Sequence, residues 1–146
     1  MANNSQIRLI CVFSGIIGGI IAIPAFIPPI TGFSLIVLTL FIAPFIIIYL
    51  KRLGIIKQTE PQKCAIAGAI SGASAAIGFC IVYIPIAFIL NLIFKIQSYI
   101  WAKVIFTNFA ALIFFPILIA LTVAMFNAFS GFMTAQLYNI LYRNRG

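Results

Sequence analysis

Acidic side chains are almost missing from this sequence. Among its 146 residues Asp and Glu together number one, Glu60, and there is no histidine. Each absence excludes a chemistry. A metal centre lacks its imidazole and carboxylate ligands. A Ser–His or Cys–His nucleophile lacks its base, and an aspartyl intramembrane protease lacks both aspartates. Ion- and proton-coupled transporters rely on an ionisable group inside the membrane, and no carboxylate or imidazole falls within the apolar runs here. Glu60 sits in a Lys-rich stretch and reads as a solvated charge. The sequence therefore predicts a non-enzymatic protein with no catalytic residue, no cofactor and no metal.

Charge of either sign is also scarce. Charged residues make up 7% and hydrophobic residues 64%, whereas a soluble domain is about a quarter charged. A water-facing surface needs charge to stay dispersed, so lipid is the expected solvent for most of this chain. Its length suits one unit, an integral membrane domain over 1–146. Cysteine is sparse too. Cys11, Cys64 and Cys80 are odd in number, match no metal spacing, and read as buried thiols that pack like small hydrophobes.

Against this background the basic residues stand out. Nine Lys/Arg against one Glu give a net charge of +8. They cluster between uncharged runs, and no basic stripe with interleaved aromatics exists to line a nucleic-acid groove. Nucleic acid is excluded as a partner, and lipid phosphates are expected instead. The N-terminal apolar stretch, Ile7 to Ile27, exceeds the ~7–15 residues of a signal-peptide core and lacks an A-x-A site. It is expected to be an uncleaved first span.

The charges also punctuate the chain. Residues 9–50 form an uncharged run of 42, roughly 63 Å if helical, about twice the hydrocarbon thickness of a bilayer. The run must turn once, and Pro28-Pro29-Ile30-Thr31-Gly32 is the predicted turn. This gives spans over 7–27 and 33–50. The polar stretch 51–63 follows, then a span over 64–85 with an extension toward Phe94. Tyr99 and Trp101 between Lys95 and Lys103 mark a membrane–water interface. A final span is predicted over 117–142, preceded by 102–115 as the same helix kinked at Pro116, an interfacial helix or a re-entrant piece, the kinked helix being preferred. Runs such as Ile46-Ile47-Ile48 lack the period-two alternation of a β-barrel. The expected fold is all-α, a polytopic four-helix transmembrane bundle. Placing seven of the nine basic residues on one side puts both termini and 51–63 on the cytoplasmic face, in the plasma (inner) membrane.

A shift of 53 residues aligns Cys11, Gly15 and Gly19 with Cys64, Gly68 and Gly72, as a two-hairpin internal repeat would. The simpler account is that glycine is common in membrane helices and basic residues commonly end them.

In lipid, helices associate through close backbone approach at small residues. Gly15 and Gly19 in the first span, Gly68, Gly72 and Ala76 in the third, and Gly131 in the fourth are the predicted packing positions. The first and third spans are expected to pair glycine face to glycine face, with Cys11 beside Cys64. Asn127, Ser130 and Thr134, at i, i+3 and i+7, form one polar face of the last span. Such a face either lines a polar pathway or bonds to neighbouring helices and its own backbone, and the second use is the commoner.

The four-helix small multidrug transporters are similar in size and span count, but they need a membrane-embedded Glu that this chain lacks. The expected role is a small helix-packing subunit or accessory protein. It would work through contacts with the lipid bilayer, a membrane-protein partner or further copies of itself as a homo-oligomer. The alternative is a passive pore or a small-solute or lipid carrier without an intramembrane proton-binding residue. A membrane-permeabilising protein of the holin type is a third reading, on size and basic ends alone.

Overall fold

A computed structural model of the chain describes residues 4–53, 60–94 and 109–143, and their regular structure is entirely helical. Helix α1 runs Asn4–Ala22. It stops where Pro24 can neither donate to the ladder nor clear the carbonyl four residues back. A 3₁₀ turn, Pro24–Phe26, follows, and Ile27 is extended at φ −88°, ψ 113°, the conformation favoured by a residue that precedes proline.

Helix α2, Pro28–Ile36, then begins at Pro28 itself. The reversal predicted at Pro28–Gly32 therefore lies earlier, at 23–27. Proline suits the first turn of a helix, where its missing N–H has no intrahelical acceptor and its fixed φ is already helical. The Thr31 hydroxyl donates to the Ala25 carbonyl at 2.7 Å and ties the turn to α2.

The second span is not one regular helix. After α2 comes a π turn, Val37–Phe41, and then α3, Ile42–Arg52. Helix α4, Pro61–Phe94, continues through Pro85, and α5, Phe109–Arg143, continues through Pro116. The expected extension to Phe94 and the preferred single helix through Pro116 agree with these bounds, while the narrower limits 64–85 and 117–142 fall short of them. A proline deletes one bond of a long ladder and leaves the others intact, and neighbouring helices re-satisfy what it frees. Residues 109–115 of the expected 102–115 segment form the start of α5, while 102–108 lie outside the described residues.

Among the described residues, four helical stretches are long and apolar enough to cross a membrane: Gln6–Phe26, Ile30–Arg52, Pro61–Leu90 and Ile113–Leu141. They are compatible with a multi-pass membrane protein. Helix α4 is the hub, flanked by α1 on one side and α5 on the other, with α3 also against it. Contact order along the helices gives their directions. Gly15 and then Gly19 of α1 meet Ser74, Gly78 and then Val82 of α4, so these two run parallel. Cys64, Gly68 and Gly72 of α4 meet Gly131, Asn127 and Val123 of α5 in turn, so these run antiparallel.

The core is built from Ile10, Ala22 and Ala25, from Leu38, Ile42, Ile46 and Leu50, and from Ala75, Ala76, Phe79, Cys80 and Val123. Aromatic rings lock both ends. Phe13 stacks on Tyr49 at 5.0 Å, and Tyr83 stacks with Phe26 at 4.7 Å and with Phe79 at 5.2 Å. At the basic end the Lys51 ammonium lies 3.2 Å from the centroid of Tyr138. Glu60 accepts from Lys63 at 2.9 Å in an exposed pair.

Candidate functional site

Two places on α4 gather the small and polar residues to which the sequence points. The first is where the second span opens. Pro44 has no N–H, so the carbonyl of Leu40, four residues earlier, loses its α-helical donor. The ladder around Val37–Phe41 loosens into a π turn, a form that leaves backbone groups for others to satisfy.

Asn127 of α5 fills this opening. It is fully buried. Its Oδ1 accepts from the Ala43 N–H at 2.8 Å, and its Nδ2 donates to the Leu38 carbonyl at 2.9 Å and to the Val123 carbonyl at 3.0 Å. Ala43 and Leu38 are five residues apart, the donor and acceptor of a π-type bond. The side-chain amide is thus inserted between them and completes the ladder through another helix. Three of the four hydrogen bonds open to an asparagine are made. Ser130, one turn on, donates to the freed Leu40 carbonyl at 2.7 Å.

Thr134 does not join them across the interface. Its hydroxyl donates to the Ser130 carbonyl of its own helix at 2.8 Å. The polar face predicted on the last span is therefore two residues directed at the second span and a third turned onto its own backbone. Among the described residues, no buried side-chain nitrogen or oxygen lacks a partner.

Glycines bring α5 close enough for this. A Cβ built on Gly68 would strike the Asn127 carbonyl oxygen. One on Gly72 would lie 2.7 Å from the Asn127 Cβ and 2.8 Å from the Val123 oxygen, and one on Gly131 would lie 2.5 Å from the Cys64 oxygen. Gly68, Gly72 and Gly131 are packing positions, but Gly68 and Gly72 face α5 and not α1. Ala76 is fully buried in the central cluster. Cys64 is buried with Ala43, Ile47 and Ala135, on the α3–α5 side of α4. The expected pairing of Cys11 with Cys64 is corrected accordingly: Cys11 lies on α1 beside the α1–α4 seam, away from the α3–α5 side that holds Cys64.

The second place is the α1–α4 seam. Its closest approach is made by Gly18 against Ala75 and by Gly78 against Gly15, where an added Cβ would strike the opposing backbone. Gly15 and Gly19 are less tightly held, their nearest contacts being the Ser74 oxygen at 3.6 Å and Val82 Cγ2 at 3.2 Å. The buried row of α1 is Ser14, Gly18 and Ala22, one position around the helix from the predicted Cys11, Gly15 and Gly19. Ser14 is buried there with its hydroxyl returned to the Ile10 carbonyl.

Beside this seam runs an open apolar groove of about 650 Å³. Gly15, Gly19, Ser74 and Gly78 line it between the branched side chains of Val12, Ile16, Ile20, Ile77 and Ile81, with Cys11 at one end and Ile23 at the other.

Protein-family models, curated proteins and solved structures were all compared with this chain, and none matches it. The site is therefore read from its own geometry. Sequence reasoning missed the π turn, Gly18 and Gly78. The spacing Ser14-x-x-x-Gly18-x-x-x-Ala22 carried the signal for Gly18, since it is a second row of small residues beside the first.

Proposed function

We propose that the chain is a non-enzymatic, multi-pass membrane protein that works as a helix-packing subunit or accessory protein, through lateral contacts in the bilayer. The observation that carries this reading is the closure of Asn127 on the second span. The largest fully buried polar side chain among the described residues is engaged by backbone groups of the second span and of its own helix, so it has little left to offer a permeating solute. The outward faces support embedding in lipid. Val12, Phe33, Ile81, Phe114 and Met125 are among many large apolar side chains that point away from the bundle, Met125 being 74% exposed. Soluble monomers rarely present apolar surface on this scale. Both termini are placed in the cytoplasm, on the side of Arg8, Lys51, Arg52 and Lys63.

The test is reconstitution of the full chain in liposomes with entrapped ions and small neutral solutes. The expected result is leakage no faster than from protein-free liposomes. Release that scales with protein content and slows in Asn127→Leu would favour the passive pore. Reporter fusions after Gly146 and near Ser98 check the orientation, and they should report opposite sides.

A further inference from the structure

We propose that the α1–α4 groove holds one acyl chain of an anionic phospholipid, with the phosphate at Arg8. This rests on the four helices being membrane spans, which the fusions above test separately, and not on the accessory role.

Three observations identify the occupant. The first is length. The groove runs along α1 from Cys11 to Ile23, roughly 18 Å at the helical rise, close to half of the ~30 Å hydrocarbon core. That is a length one extended acyl chain can follow, entering from the basic end of the Gln6–Phe26 stretch. The second is chemistry. The lining is aliphatic side chains and glycine, with Ser74 and Cys11 the only polar-capable side chains. The third is charge. Arg8 is exposed on α1, three residues before Cys11 and seven before Gly15, hence on the same face one turn beyond the groove. Its side chain leans toward the N-terminal, basic end of the bundle. A phosphate there completes a lipid whose chain already lies in the groove.

Charge also argues against a second copy as the occupant. All copies enter a membrane in one orientation, so a second copy in the groove would bring its own Arg8, Lys51, Arg52 and Lys63 beside this basic end. An anionic headgroup neutralises what a second chain would repel.

Native mass spectrometry of the full chain, released from nanodiscs of equimolar phosphatidylglycerol and phosphatidylcholine with identical acyl chains, tests this. One retained lipid is expected per chain, with phosphatidylglycerol favoured about fivefold, as one basic residue near the membrane surface provides. Arg8→Gln should bring the ratio near one, and Arg8→Lys should preserve it. Ser74→Leu, which fills the groove, should lower retention of both lipids.

Three results would overturn the proposal. They are equal retention of the two lipids by the unaltered chain, a preference abolished by Arg52→Gln but not by Arg8→Gln, and a dimer that Ser74→Leu converts to monomers. Ile16→Trp narrows the same groove from its outward wall and should repeat the Ser74→Leu effect if that variant folds poorly.

Discussion

Helix α4 meets α1 and α5 by two different means. At α1 the contact is backbone against backbone, Gly18 on Ala75 and Gly78 on Gly15. The buried hydroxyl of that seam, Ser14, bonds to the Ile10 carbonyl of its own helix. At α5 the same close approach at Gly68 and Gly72 delivers Asn127 into a gap in the second span. Close packing is weakly directional, so the α1 seam can hold two helices without fixing one register. A buried amide with three partners fixes the relative height of α5 and the second span. The bundle thus has one side set by shape and one set by directional bonds, and the groove lies on the first.

Substitutions can separate these contributions, with stability read by reversible unfolding in mixed detergent micelles. Gly68→Val should cost most, about 3 kcal/mol or more, because overpacking at the Asn127 carbonyl would also pull the amide out of place. Gly18→Val removes no hydrogen bond, so its cost should be overpacking alone, about 2–3 kcal/mol. If Gly18→Val proves the more damaging, the α1 seam is the stronger element and the contrast is reversed.

Asn127→Leu keeps the volume and strands the Ala43 N–H and the Leu38 carbonyl. A loss of about 2 kcal/mol is expected, at the upper end of what membrane hydrogen bonds show in mutational cycles. Ser130→Ala frees only the Leu40 carbonyl and should cost about 0.6–1 kcal/mol. Lys51→Gln removes the cation from the Tyr138 ring at the rim, with about 0.5–1 kcal/mol expected for a contact near solvent. An Asn127→Leu variant as stable as the unaltered chain would show that the π turn can satisfy itself.

Much of the architecture was legible in the sequence, because charges are rare enough to act as punctuation. The uncharged runs predicted four apolar helices, and four long and apolar enough to cross a membrane lie among the described residues; Asn127 and Ser130 were evident as a face. What the sequence did not reveal has definite causes. Pro28 reads equally as a breaker or as a first helical residue, and only the extended Ile27 before it decides. Pro85 and Pro116 look like boundaries, yet long helices absorb them. In α1 two rows of small residues lie side by side, Cys11–Gly15–Gly19 and Ser14–Gly18–Ala22, and periodicity alone cannot choose between them. The π turn depends on a partner 84 residues away from Ala43, and no local pattern encodes that partner.

The amide proton of Ala43 tests most directly whether Asn127 closes the second span or faces a water-filled path. Its hydrogen–deuterium exchange can be followed in nanodiscs by NMR, in the unaltered chain and in Asn127→Leu. If Asn127 Oδ1 holds that proton in a dry core, exchange in the unaltered chain is as slow as for the neighbouring Ile46 and Ile47 amides, and it quickens in the variant alone. Rapid exchange at Ala43 in the unaltered chain, with Ile46 and Ile47 still protected, would mean that water reaches Asn127, and would contradict the closed bundle.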